Sequence, residues 1–186
     1  MEYKVIEGGG ITSPKGFTAA GVHCGVKNNN SDKKDLAMIL SERECSAAAV
    51  YTRNRVKAAP LYITMENLEN GTAWGVVANS GNANACAPLS HENAQLMCQY
   101  AAAATGRKPA DFVVASTGVI GQTLNIAAIE KGMPQVVQAL SAKGSDDAAH
   151  AIMTTDTVKK EYAVAVSIGG KTVSIGAVAK GSGMIH

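Results

Sequence analysis

Aromatic side chains are scarce in this chain, at 4% of 186 residues, with one Trp and two Phe. Its core must therefore be mainly Ala, Val, Ile and Leu, small side chains that suit tightly stacked sheets and helices. Neither sign of charge is in excess. Seventeen basic and fifteen acidic residues leave +2 at pH 7, which gives no electrostatic case for nucleic acid. Lys33-Lys34 and Lys159-Lys160 read as solvated surface. No apolar run approaches the ~18 residues of a membrane span. The opening MEYKVIEGGG carries charge where a signal peptide needs an apolar core. The four cysteines (Cys24, Cys45, Cys86, Cys98) form no CxxC pair, which suggests free thiols. A soluble cytoplasmic protein with no membrane or nucleic-acid partner is the expectation.

Familiar chemical motifs are lacking as well. There is no GxSxG elbow. Residues 118–123 lack the Lys and the spacing of a phosphate loop. His23 and Cys24 are adjacent, so in a strand they face opposite ways and share no metal. His23, His91 and His150 show no ligand spacing. Cys86 with His91 or His150 would be a thiol–imidazole pair, but nothing around Cys86 lifts it above a buried small thiol.

What is present is a globular composition, 46% hydrophobic with a mean hydropathy of +0.03. Residues 1–34 are turn-rich, with 28–32 reading as a turn and 22–26 as a strand. Strands are expected at 36–40 and 47–51, with the charged residues Glu42, Arg43 and Glu44 turning between them. Pro60 suits the first turn of a short helix, which Asn70-Gly71 ends. A strand at 74–78 empties into the small and amide residues of 79–86, a functional loop or a network of Asx turns. Ser90 can cap a helix to about Thr105, closed by Gly106. Helices are expected at 126–131 and 135–142, separated by Gly132 and Pro134, and another runs from a Ser145 cap through Ile152. The pattern ends in a hairpin, 161–168 and 171–179 about Gly169-Gly170. No internal repeat or linker interrupts the chain, so residues 1–186 read as a single α/β domain.

The apolar run 112–115 opens into Ser116, Thr117 and Gly118. A Thr hydroxyl and an unobstructed Gly amide after a buried strand could point two donors at one developing negative charge, the requirement for an oxyanion hole. On these residues alone, a plain glycine-containing strand-to-helix turn is the favoured reading. Residues 153–157, MTTDT, gather hydroxyls and one carboxylate between a helix and a strand. Donors and hydroxyls are thus present without a complete nucleophile–base set.

Five stretches bring in a resemblance: GGGITSPKGFTAAGV (8–22), NSGNANAC (79–86), ASTGVIG (115–121), MTTDT (153–157) and KGSGMI (180–185). In this order they resemble the glutamate N-acetyltransferase / ornithine acetyltransferase family of arginine biosynthesis. The resemblance implies a mixed α/β (α+β) fold, a layered αββα-type sandwich completed by a second chain. It implies a precursor that cleaves itself before a Thr, which becomes the nucleophile at the N-terminus of a β chain. This sequence then corresponds to an almost complete α chain, in an α2β2 heterotetramer. Thr117 and Gly118 match the oxyanion-stabilising pair, and Thr154 and Lys180 match substrate-binding positions, with Thr155 a close rival to Thr154. The implied reaction moves acetyl from N2-acetylornithine to glutamate through an acetyl-enzyme. It needs no metal or organic cofactor, and acetyl-CoA serves as an additional donor in bifunctional members. Two departures stand out: Ala87-Pro88-Leu89 where the family has a Thr-Gly pair, and Val158 in place of Pro. The alternatives are a self-cleaving aminopeptidase or amidohydrolase of similar fold, and a non-catalytic amino-acid-binding subunit.

Overall fold

The computed structural model describes residues 3–27 and 32–183. The expected turn at 28–32 and the end of the KGSGMI stretch therefore lie partly outside the described residues. The fold is mixed α/β, with two sheets and four α-helices among the described residues. The strands are β1 (Tyr3–Val5), β2 (Phe17–Val22), β3 (Leu36–Ser46), β4 (Thr72–Asn82), β5 (Phe112–Val119), β6 (Lys160–Ile168) and β7 (Lys171–Ala179). The helices are α1 (Ala59–Asn67), α2 (Ser90–Thr105), α3 (Ile126–Gln138) and α4 (Ser145–Ala151).

One sheet has the order β2-β3-β4-β5, antiparallel except for the parallel pair β4–β5. A parallel neighbour needs a crossover, and α2 supplies it. The second sheet has the order β1-β6-β7 and is antiparallel throughout. The β6–β7 hairpin turns at Gly169-Gly170 as its sequence suggested.

The first sheet is covered on both faces. On one, Leu36, Met38, Val77, Phe112 and Val114 pack against residues of α1, α2 and α3. Each such side chain, fully buried, contributes roughly 1.5–3 kcal/mol. On the other face, Ala19 and Ala37 meet Ala148 and Ala151 of α4, and α4 also reaches β6 and β7. Small side chains do dominate this second contact. The larger core is less aliphatic than the composition suggested, because Phe112, Met38, Met97 and Met133 are among its largest fully buried side chains. Unbranched Met fills irregular gaps where aromatic rings are few.

The free edge of β5 is sealed along its first half by polar atoms of α1. The Thr64 hydroxyl donates to the Val114 carbonyl at 2.8 Å and accepts from the Val114 amide at 3.1 Å. Asn67 Nδ2 donates to the Phe112 carbonyl at 2.8 Å. The outward groups of Val114 and the Phe112 carbonyl are therefore satisfied, which blunts this first half of the edge.

Several local expectations are corrected. The strand expected at 22–26 is not formed: β2 ends at Val22, because Asp35 draws residues 24–27 into a loop. Residues 42–44 do not turn; β3 runs through them to a second pairing, Cys45 with Ala73 and Ser46 with Thr72, beyond a register shift. Residues 47–51 form no strand and are half-exposed to exposed. Residues 79–82 belong to β4. Ser90 lies inside α2, its hydroxyl donating to the Ala87 carbonyl, while Leu89 occupies the cap. Gly106 does end that helix. The buried face of α2 is Asn93, Ala94, Met97, Cys98, Ala101 and Ala102, with Tyr100 and Ala104 packed at its margin. Ser145 is likewise the first residue of α4, not its cap.

The largest correction is α3, a single helix through Gly132 and Pro134. A Pro inside a helix costs about 3 kcal/mol. The continuous apolar face of Ala128, Ile129, Met133 and Val136 outweighs that cost. Gly132 is there for closeness, since an added Cβ would press on Leu36 and Cys24.

Candidate functional site

The site forms where β4 and β5 end together, the common place for a ligand beside parallel strands. In β5 the alternate residues Phe112, Val114 and Ser116 face the helices, and Ser116 donates to Asn79 Oδ1 at 2.6 Å. Period two then sends Thr117 to the opposite face. Thr117 and Gly118 are inside the strand, in register with Ser80 and Gly81, and not in a turn after it. A register shift at Asn82, which meets both Thr117 and Val119, interrupts the regular pairing at the strand ends.

Gly118 is required by the packing. Its φ is +135°, and a Cβ would overlap the Gly81 carbonyl and stand 2.5 Å from the Asn82 nitrogen. Of the two readings of residues 79–86, the amide network is present. Asn79 Nδ2 donates to the Asn82 carbonyl at 2.9 Å, Asn82 Nδ2 to the Gln122 carbonyl at 3.0 Å, and the Asn84 amide to Asn82 Oδ1 at 2.7 Å. These bonds hold the β4 end against the segment after β5, so the network itself shapes the site.

Thr117, Gly118, Thr154 and Lys180 all line one cleft of about 1130 Å³. Thr155 lines it too, so the cleft itself does not separate the two threonines. Thr117, Thr154 and Lys180, 37 and then 26 positions apart, thus converge on one hollow, a product of topology and not of local spacing.

Two buried carboxylates, which the sequence reading did not single out as site residues, build the walls. Asp156 has a side-chain exposure of 2%. Its Oδ1 accepts from the Gly181 amide at 2.6 Å and from Lys160 Nζ at 2.9 Å. Its Oδ2 accepts from the Thr154 amide at 3.1 Å and from Lys180 Nζ at 3.3 Å. The Lys160 ammonium, then the Thr154 and Gly181 amides and the Lys180 ammonium, hold this carboxyl well below the usual carboxylate range against the opposing cost of burial. The one visible signal was the single carboxylate in MTTDT.

Asp35 is fully buried. It accepts from the amides of Cys24 (2.6 Å), Gly25 (3.1 Å) and Lys27 (2.9 Å), and His23 Nδ1 stands 3.4 Å away. It thereby curls residues 24–27 into the cleft wall, with Lys27 on the lining. Lys27 donates to the Lys34 carbonyl at 2.7 Å. Burial lowers its pKa, opposed by the charge of Asp35. An Asp directly before the apolar run 36–40 was the available signal, but its partners lie upstream and could not be read from spacing.

Cys24 and Cys98 are not poised for nucleophilic attack. Burial, then the adjacent Asp35 charge, pushes Cys24 up to about 12, and burial does the same to Cys98. Cys86 is exposed, contrary to its reading as a buried thiol. His150 is engaged with Asp146 on α4. Of the two departures, Leu89 and Val158 are both exposed, and neither lines the cleft.

The sequence profile of the ArgJ family matches residues 18–186. The chain belongs to the ArgJ family. It is 51% identical over 179 residues to the arginine biosynthesis bifunctional protein ArgJ of Symbiobacterium thermophilum, covering 96% of this chain and 44% of that protein. The ArgJ of Bacillus subtilis is 44% identical over 180 residues, with 96% and 43% covered. The chain thus spans less than half the length of these curated relatives. Among solved structures, ArgJ of Bacillus halodurans superposes with a TM-score of 0.92 at 41% identity, covering 100% of this chain and 96% of that one. Ornithine acetyltransferase of Mycobacterium tuberculosis, complexed with ornithine, gives 0.91 at 37% identity, with 100% and 98% covered. These agree with the mixed α/β fold and with the family that the five sequence stretches resembled. Among the described residues no helix is long and apolar enough to cross a membrane.

Proposed function

We propose that this chain is the α part of an arginine-biosynthesis acetyltransferase that moves acetyl from N2-acetylornithine to glutamate. The observation that carries the reading is the meeting of Thr117, Gly118, Thr154 and Lys180 on one cleft of an ArgJ family fold. The nucleophile is the Thr that begins a β chain, released by cleavage of a common precursor. Its own α-amino group, with a pKa near ~8, takes the hydroxyl proton. The alkoxide attacks the acetyl carbonyl, and the Thr117 hydroxyl and the Gly118 amide stabilise the tetrahedral oxyanion. Ornithine leaves with the proton, the acetyl ester remains, and the glutamate amine attacks it through the same oxyanion site. Thr154 and Lys180 hold the amino-acid substrates. No cofactor takes part, acetyl-CoA is an additional donor in bifunctional members, and the setting is the cytoplasm.

The partner in this reading is the β chain, in an α2β2 assembly. Tyr162, Val173 and Ile175 expose apolar area along the β6–β7 hairpin, a surface suited to such a partner. The test is to incubate the complete protein with N2-acetylornithine and glutamate. Transfer to glutamate with ping-pong kinetics is expected; net amide hydrolysis would favour the aminopeptidase-type alternative. The mass and N-terminal residue of the co-purifying chain check the cleavage, and a chain that does not begin with Thr would overturn it.

A further inference from the structure

We infer that Asp156 is a positioning residue: it sets the Lys180 ammonium in the cleft and so governs substrate affinity. The inference rests on the proposed acetyl transfer and adds to it a residue with no assigned role. Asp156 ties together three pieces of chain at the cleft, of which the start of β6 and the end of β7 are already strand partners. The three are the segment after α4 through Thr154, the start of β6 through Lys160, and the end of β7 through Lys180 and Gly181. Its two oxygens accept four donors, so the carboxylate is close to fully committed. It is also buried while Lys180 is only half-buried, so the carboxylate is the fixed member and the lysine the adjustable one.

Lys180 carries three N–H donors. One goes to Asp156 Oδ2 at 3.3 Å and one to the Gly181 carbonyl at 3.0 Å. Those two bonds orient the third, and with it the positive charge, within a cleft that Lys27 and Lys33 also line. Three lysine ammoniums (Lys27, Lys33 and Lys180) against the two buried carboxylates of Asp35 and Asp156 leave the wall net positive, which suits the carboxylate of an amino-acid substrate. An Asn at 156 would keep the shape but offer one oxygen where four donors converge. Its NH2 would then face donors, and Lys180 would lose its anchor.

The experiment uses the complete, self-cleaved enzyme, with rates normalised to cleaved protein. Asp156→Asn, Lys180→Met and the double variant are compared in acetyl transfer from N2-acetylornithine to glutamate. The expected result is a KM for N2-acetylornithine raised about tenfold by Asp156→Asn, a size in keeping with a charge-assisted bond, with kcat within threefold. In the Lys180→Met background the same change should raise KM less than twofold further. A KM within twofold of the parent, or an undiminished effect without Lys180, overturns the inference, since a merely structural role would act equally in both backgrounds. Should Asp156→Asn fail to fold, Asp156→Glu carries the test. It keeps the charge but displaces it by one methylene, so a threefold or greater rise in KM supports the inference and an unchanged KM overturns it. A parent enzyme without any transfer activity would instead refute the proposed reaction.

Discussion

Asp35 and Asp156 are both buried carboxylates that stand behind the lining of one cleft and hold its segments, yet they are used differently. Asp35 accepts three backbone amides from residues 24–27 and serves to fold a loop. Asp156 accepts two amides and two lysine ammoniums and serves to place charge. A buried carboxylate satisfied by backbone fixes shape, whereas one satisfied by side-chain cations fixes the position of those cations. The comparison implies that losing Asp35 harms stability first, while losing Asp156 harms binding first.

The largest effect should therefore come from Asp35→Ala. It leaves buried amides without an acceptor, at a cost of about 4 kcal/mol, read by chemical denaturation of the complete protein. A loss below about 1 kcal/mol would break the comparison, as would an equal loss from Asp156→Ala. Gly118→Ala should come next, at about 3 kcal/mol, because φ is +135° and the Gly81–Asn82 backbone fills the space of a Cβ. An Ala variant of parental stability would show that the two strands can part without cost.

Acid sharpens the contrast. The carboxyl of Asp156 is held below its usual range by its donors. A depressed folded-state pKa contributes stability above the unfolded value of about 3.9. That contribution is lost as pH falls below it toward the folded value. Stability of the parent should thus decline on acidification below about pH 4, and Asp156→Asn should flatten that decline. Identical acid profiles for the two proteins would remove Asp156 from the account. The smallest effect belongs to Lys160→Met. Lys160 is 41% exposed, so its pair with Asp156 should contribute under about 1 kcal/mol to stability, and KM should move less than threefold. A larger change in KM would make Lys160, not Lys180, the cation that matters.

Much of the fold was legible where local signals agree. The β6–β7 hairpin shows period-two alternation about Gly169-Gly170, and α2 runs from the region of Ser90 to Gly106. Reading failed where a tertiary contact overrides a local one. Pro134 signals a break, but the buried face of α3 carries the helix past it. Glu42, Arg43 and Glu44 signal a turn, but pairing with β4 extends the strand through them. The site was legible in a different way. Residues alone offered Thr117 and Gly118 only as donors near a strand end, while Thr154 and Lys180 came from the family resemblance. That all four share a cleft depends on α4 packing on β2 and β3 and on the hairpin reaching α4. Asp35 and Asp156 escaped notice because their partners are backbone amides and lysines that no spacing rule connects to them.

The central claim is that Thr117 stabilises the oxyanion of acetyl transfer. It is tested most directly by kcat of Thr117→Ala in the complete, self-cleaved protein, with N2-acetylornithine and glutamate saturating. Loss of one oxyanion donor predicts a fall of roughly 10²-fold or more. A fall of less than about threefold, far below the cost of one such donor, would contradict the account, provided that cleavage is intact.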